Sequence, residues 1–191
     1  MSDAGRMIAI RPALADDADA IVAIYAPHVR DGTVSFETAV PGTVAMRARM
    51  TASDGLYPWI VATSDNAVLG YAYAGRFRER AAYRWAVETT IYVAAAAQGA
   101  GVGRQLYAAL IATLRAQGFT QAIGIVALPN PKSVRLHEAS GFRSAGVFRR
   151  VGHKNGCWID VSHWQCALAP PENPPAEPRR FAAVGVVRGG A

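Results

Sequence analysis

Two side chains in this sequence are placed to move protons near neutral pH: Glu88 and His137. Glu88 stands at the head of a run of otherwise uncharged strand-forming residues, Val87, Thr89, Thr90 and Ile91. Such a carboxylate is either an ordinary strand-end acid in solvent or a general base. His137 lies beside Glu138 on a predicted short helix. An imidazole there can give or take a proton, although a lone helical histidine is more often structural or simply exposed. A third feature is Gln98-Gly99-Ala100-Gly101-Val102-Gly103, between a predicted strand and a predicted helix. Glycines let a backbone approach a phosphate closely, and the first N–H groups of the helix point at it with the positive end of the dipole. A dinucleotide site would need a strand directly before the glycines and an acid after the next strand. Here the strand ends at Val93, five residues before Gln98, and Ala127-Leu128 bring no acid. That reading fails. A fourth feature, Arg76 to Trp85, concentrates guanidinium and aromatic groups just before Glu88; on composition alone it is a solvated basic loop.

The elements that must position these groups follow from periodicity. Residues 7–11 alternate as a short strand that Pro12 ends. Asp16 and Asp17 offer an N-cap to a helix carrying Ile21, Ile24 and Tyr25 at helical spacing, which Pro27 closes or kinks. A second helix is predicted over 43–51. Residues 59–63 and 68–74 read as strands joined by a tight turn at Asp65-Asn66, and 87–93 as another strand. Gly99 to Gly103 open a long helix with a stripe of Leu106, Leu110 and Leu114, ended at Gln117-Gly118. The apolar run 122–127 is a central strand. Pro129-Asn130-Pro131 break it, and a short helix runs from Ser133 to Gly141. Strands over 144–151 and 157–167 close the sequence of elements around the turn His153-Lys154-Asn155-Gly156. This order predicts an α+β fold around one mixed sheet, a single domain over residues 1–169. From Pro170 the composition shifts to PPENPPAEPRR and then to small residues, which predicts a flexible tail over 170–191.

With 191 residues, 51% apolar and 18% charged, the chain has the balance of one globular domain. No apolar run approaches the roughly 20 residues of a membrane span, and the N-terminus lacks the apolar stretch of a secretion signal. Cytoplasmic residence is the expectation. Cys157 and Cys166 form neither a CxxC pair nor a zinc-ligand spacing, so no metal is expected and both are taken as packing residues. The net charge of +6 suits a small polyanion such as a coenzyme, or solubility alone. The basic residues are dispersed rather than blocked or interleaved with aromatics, against nucleic acid.

The order strand, Q-x-x-G-x-G, helix, with Gln98, Gly101 and Gly103 in place, resembles the acetyl-coenzyme A signature of the GNAT acetyltransferases. Asn130, Ser133 and Gly141-Phe142 match the N-x-x-S…G-F segment of that superfamily. A narrower resemblance, from about Ile10 to Leu168, is to the phosphinothricin and methionine sulfoximine N-acetyltransferases. It rests on YPWIVA (57–62), GYAYAG (70–75), ETTIYV (88–93), LPNPKSVRLHEASGF (128–142) and GHKNGCWIDVSHWQ (152–165). One departure stands out: the family usually has Arg or Lys just after the Gln, where this chain has Gly99 and Ala100.

The resemblance implies transfer of acetyl from acetyl-CoA to the α-amino group of a small amino-acid analogue, without a metal. It implies that Ile91, Tyr92 and Val93 meet the pantetheine arm, the Val93 N–H serving as oxyanion donor. Gly99, Ala100, Gly101, Val102, Gly103 and Arg104 would hold the pyrophosphate, with Asn130 and Ser133 beside the coenzyme. It assigns Glu88 as base and His137 as partner acid or second base. Phe36, Arg78, Arg80 and Tyr83 would bind the anionic acceptor, some of them across a homodimer interface. Two alternatives are an acetyltransferase for another amine and a coenzyme-binding sensor without catalysis. Arg78 and Arg80 argue against a cationic polyamine, and the retention of Glu88 with His137 argues against a silent sensor.

Overall fold

The computed structural model describes residues 7–52, 55–170 and 172–188. Strands β1 (Ala9–Pro12), β2 (Trp59–Ser64), β3 (Ala67–Arg76), β4 (Ala86–Val93), β5 (Gln121–Leu128), β6 (Arg143–Lys154) and β7 (Cys157–Ala167) form one sheet. Its order is β1-β2-β3-β4-β5-β7-β6. Every neighbouring pair is antiparallel except β4 and β5. The two tight hairpin turns use left-handed residues, Asp65-Asn66 (φ 50° and 64°) and Asn155-Gly156 (φ 51° and 75°), which match the twist of the strands they join. The mixed α+β sheet expected from the sequence is the one observed.

Helix α1 (Ala18–Arg30) and helix α2 (Thr43–Thr51) cover one face of the sheet. There Ile21, Tyr25, Val29 and Met46 pack on Trp59, Val61 and Tyr71. Pro27 does not close α1, which continues to Arg30. Its missing N–H removes one bond near the helix end, where the last turn tolerates the loss. Asp17 precedes α1, but its carboxylate accepts from the Leu14 N–H and from the Arg11 guanidinium at 2.7–2.8 Å rather than capping the helix.

Helix α3 (Val102–Gln117) crosses the other face. Its stripe Leu106, Leu110 and Leu114 is fully buried, with Tyr107 between. Spacings of three and four put these side chains on one side of the helix, facing the sheet. Gly118 ends it in the left-handed conformation (φ 92°), as a C-terminal glycine should. Helix α4 (Pro131–Ala139) lies beside α3 on the same face.

The described part of the tail differs from the wandering segment expected. It returns along α3 and adds a one-turn helix, α5 (Phe181–Val184). The buried Gln117 amide donates to the Leu56 and Arg179 carbonyls, both at 2.7 Å. The Arg179 N–H donates to the Gln117 carbonyl at 2.7 Å, and the Val187 N–H donates to the Thr113 hydroxyl at 2.9 Å. Trp85 donates its indole N–H to the Ala176 carbonyl, and Arg84 pairs with Glu177. Phe181 and Val186 pack on the core. A Pro-rich stretch needs no periodicity to dock when the body of the protein supplies the donors and the apolar surface.

Candidate active site

The site is built where β4 and β5 part. The two parallel strands pair only from Ala86↔Gln121 to Thr89↔Gly124, yet β4 runs on to Val93 and β5 to Leu128. On its other edge β4 stays paired with β3 up to Val93↔Gly70. The Ala94 N–H donates to the Leu69 carbonyl at 2.9 Å, which makes Val93↔Gly70 a pair without mutual hydrogen bonds. The main-chain N–H and C=O of Val93, and two residues back of Ile91, therefore face the wedge. A small cavity of about 50 Å³ lies at its apex, lined by Thr90, Ile91, Tyr92, Ile125, Asn130 and His137 among others.

From the apex the wedge opens into a cleft of about 650 Å³. Val93, Gln98, Gly99, Gly101, Val102 and Gly103 line one side, with Arg104, Lys132, Ser133, Arg135 and Leu136 around it. Gly99 and Gly101 hold φ of +85° and +78°, and a Cβ at either would meet open space. The sequence therefore keeps these positions bare for backbone conformation and for a closely approaching ligand. Behind them the N–H groups of Val102, Gly103 and Arg104 begin α3 with no carbonyl of the helix to bond. Ala100 is exposed but is not part of the lining. Lys132 donates to the Gln98 side chain at 2.9 Å. The cations missing directly after Gln98 are thus supplied from α4, by Lys132 and Arg135, which the sequence reading passed over. Bare glycines, helical N–H groups and three cations suit a coenzyme with several phosphates.

His137 is held rigidly on the α3–α4 face. Asn130 caps α4, its side-chain oxygen accepting from the Ser133 N–H at 3.1 Å, and Pro131 fits the first turn. One turn later His137 Nδ1 lies 2.8 Å from the Ser133 carbonyl. A carbonyl only accepts, so Nδ1 carries the proton and Nε2, 2.9 Å from the Tyr107 hydroxyl, accepts. Tyr107 in turn reaches Thr89 on β4. Burial pushes the imidazole below the ordinary histidine range, against the bond to Ser133. The proton on the cavity side of this pair thus belongs to Tyr107. A Cβ built at Gly124 would overlap the His137 ring. Tyr107 and Gly124 were both missed in the sequence. Tyr107 looks like part of the helix stripe, whereas a glycine inside an apolar strand was a legible sign of close approach.

Glu88 faces the other way. Successive side chains along a strand alternate between faces. Thr89 reaches Tyr107 on α3, so Glu88, Thr90 and Tyr92 look toward α1 and α2. Burial holds the Glu88 carboxyl above the usual carboxylate range, with the Arg78 charge acting against it. On this face Tyr92 packs on Tyr25 and His28, with ring centroids 5.1 and 5.0 Å apart. Val34, from the loop after α1, lines both the apex cavity and the larger cleft.

Phe36, Arg78, Arg80 and Tyr83 line neither cavity of their own chain. Phe36, 44% exposed, lies against Gly152 of β6. Arg78 stacks its guanidinium on Phe77, 4.3 Å from the ring centroid. Tyr83 meets the same Phe77 edge-on at 5.8 Å, and Arg80 is exposed. Among the described residues no cluster of three or more His, Cys, Asp or Glu could hold a metal, and no helix is long and apolar enough to cross a membrane.

Comparison with known proteins agrees with this architecture. Residues 10–164 match the model of the acetyltransferase (GNAT) domain. A phosphinothricin N-acetyltransferase of Streptomyces viridochromogenes is 40% identical over 165 residues, 86% of this chain and 90% of the relative. An L-methionine sulfoximine/L-methionine sulfone acetyltransferase of Pseudomonas aeruginosa is 36% identical, over 87% of this chain and 98% of its own. The crystal structure of a GNAT superfamily phosphinothricin acetyltransferase from Sinorhizobium meliloti in complex with AcCoA superposes with a TM-score of 0.83 at 36% identity, covering 90% of this chain and 92% of that one. With a family model spanning most of its length and relatives this similar, the chain belongs to the GNAT acetyltransferases.

Proposed function

We propose that this acetyltransferase moves the acetyl group of acetyl-CoA to the α-amino group of a small amino-acid analogue of the phosphinothricin or methionine sulfoximine type. The observation that carries the reading is the wedge between β4 and β5. It opens on one face to the glycine-lined cleft and begins just past Thr89, one residue beyond the half-buried Glu88, which itself lines neither cavity. The N–H groups at the start of α3, with Arg104, Lys132 and Arg135, hold the phosphates of the coenzyme, and Ile91 and Val93 offer main-chain groups to its pantetheine arm.

Glu88 takes the proton of the acceptor ammonium, directly or through water, which frees the nitrogen lone pair for attack on the thioester carbonyl. Its raised pKa makes it a better base than an exposed carboxylate near neutral pH. The Val93 N–H, aimed into the wedge, donates to the carbonyl oxygen as negative charge gathers there. As the C–N bond forms and the C–S bond breaks, the nitrogen sheds its second proton and the departing sulfur takes one up. The Tyr107–His137 pair relays it, the Tyr107 hydroxyl giving its proton only as it is replaced.

Acceptor recognition in this reading is shared between two copies. Arg78, Arg80 and Tyr83 lie outside the cavities of their own chain, and the β6–β7 edge exposes Val147, Phe148, Val151 and Trp158. A homodimer that buries this edge and brings the basic loop to the neighbouring site accounts for both. Residence in the cytoplasm, where thiols stay reduced, belongs to the same reading. Release of coenzyme A thiol, measured with the purified chain over a panel of amino acids, amino-acid analogues and polyamines, tests it. Phosphinothricin or methionine sulfoximine should lead; a preference for spermidine would overturn the acceptor assignment.

A further inference from the structure

At the tip of the β6–β7 hairpin Lys154 turns inward and is 7% exposed. Its ammonium donates to the Ser35 carbonyl at 2.7 Å, to the Val29 carbonyl at 2.8 Å, and at the 3.5 Å limit to the His28 carbonyl. His28 and Val29 belong to the last turn of α1, whose carbonyls lack partners within the helix and carry the negative end of its dipole. Ser35 belongs to the loop that follows. One cation thus joins the end of α1 to the middle of the loop, at a hairpin more than a hundred residues away in sequence.

The loop has little else to fix it. It lacks regular structure from 32 to 42. Its other ties among the described residues include the Tyr25 hydroxyl, 2.6 Å from the Ser35 hydroxyl and 2.9 Å from Glu37, the Arg49–Glu37 ion pair, and the packing of Val40 on the core under α1 and α2. Yet it carries Val34, which lines both cavities, and Phe36. The hairpin grips it twice from one side. Lys154 and Gly152, two residues apart on β6, both face inward, and a Cβ at Gly152 would run into the Phe36 ring.

We propose that Lys154 is a positioning residue for the acceptor. It clamps the 31–37 loop to the end of α1, so that Val34, with the loop held against β6 through Phe36 and Gly152, forms a fixed wall of the wedge. The inference rests on the amino-acid acceptor reading above. A buried ammonium is costly to desolvate, and an apolar residue would pack the hairpin tip more cheaply. What it gains here is the ordering of a loop that has no backbone ladder of its own.

The test compares Lys154→Met, which keeps the length of the side chain and loses every donor, with Lys154→Gln, which keeps two donors without the charge. In Lys154→Met the KM for phosphinothricin or methionine sulfoximine should rise about 10- to 100-fold. The KM for acetyl-CoA should stay within about three-fold, because the helix ends and cations of the cleft are untouched. Lys154→Gln should fall between and remains informative if the Met variant does not fold. Hydrogen exchange should quicken at the amides of 31–37 and stay slow along β2 to β5. Unchanged acceptor KM, or a joint rise of both KM values with faster exchange across the whole sheet, would overturn the inference. If the unsubstituted chain accepts no amino-acid analogue, the acceptor reading fails, and local exchange still decides whether Lys154 orders the loop.

Discussion

Glu88 and His137 lie on opposite faces of the same sheet, one pointing toward α1 and α2, the other set against Gly124 under α4. They do not touch, and among the described residues no chain of hydrogen bonds runs between them. The wedge between β4 and β5 joins the two faces, its apex cavity being lined by Thr90 and Tyr92 from one and by Thr89 and His137 from the other. A reaction that uses both must take place inside it, with the amine entering from the Glu88 face and the coenzyme from the other.

Glu88→Gln should lower kcat by about 10²–10⁴-fold and leave acetyl-CoA binding by calorimetry nearly unchanged. Stability should move the other way. Glu88 binds its proton more tightly in the folded state than at its ordinary value of 4.5. Its protonated form therefore supports folding, fully below that value, and the support is lost as pH rises through the folded one. Denaturant unfolding should show the Gln variant equal to or above the parent at pH 8, and the gap should close near pH 4. A kcat near that of the parent from pH 6 to 9 would remove Glu88 from the chemistry.

His137 should be neutral at pH 7 with its proton on Nδ1. Nitrogen NMR of histidine-labelled protein reads this directly, and an Nε2–H tautomer would contradict the Ser133 bond. Because the folded pKa lies below the ordinary 6.5, the neutral ring supports folding above pH 6.5. That support is lost as pH falls from there to the folded value. Tyr107→Phe removes the partner of Nε2 and should cost about 1–3 kcal/mol of stability, together with a fall in kcat larger than any change in acceptor KM.

Gly124→Ala places a methyl group where the His137 ring sits. The ring must leave Tyr107, so activity should fall at least as far as in His137→Ala. Circular dichroism should still report a folded sheet. Activity near that of the parent would mean that His137 need not occupy its present place.

Arg80→Ala should raise acceptor KM by about 10- to 100-fold, the worth of a hydrogen bond to a charged group, with little effect on acetyl-CoA. If the loop serves a neighbouring copy, mixing Arg80→Ala chains with Glu88→Gln chains should restore one sound site per mixed dimer. Recovered activity in that mixture is the measurement; none would place Arg80 in its own chain's service or in no site at all.

A chain ending at Pro170 should be less stable by about 2 kcal/mol or more. It uncovers the surface under Phe181 and Val186 and strips the buried Gln117 amide of one carbonyl partner. The molecules that remain folded should keep their kcat, since among the described residues none beyond 170 lines either cavity. An unchanged denaturation midpoint would mean that these contacts contribute nothing.

The strands, the long helix and the hairpin turns were legible because each rests on local pattern: alternation, the Leu106 stripe, and paired turn residues. The glycine turn was legible for the same reason. What the sequence hid depends on residues far apart in the chain. Lys132 and Arg135 read as surface charges of a short helix until α4 is laid beside the start of α3. Lys154 read as part of a turn, because nothing local reveals that its ammonium meets carbonyls at residues 28–35. The tail carried no periodicity and docks through donors such as Gln117 and Trp85 that lie elsewhere. Pro27 misled in the opposite sense: a local rule for stopping helices gave way near a terminus already short of bonds.

The short pairing of β4 with β5 also has a mechanical meaning. Seven strands share one sheet, but between β1–β4 and β5–β7 the seam is only four residue pairs long, from Ala86↔Gln121 to Thr89↔Gly124. The assembly is two stiff plates stitched along a short edge, with α3 lying across the first plate and α4 against the second. Any molecule that fills the wedge touches both plates at once, so occupancy should be felt as a change in their relative angle. In that arrangement the coenzyme is a strut as much as a reagent, and the acceptor meets a site whose width is set by what already stands in the gap.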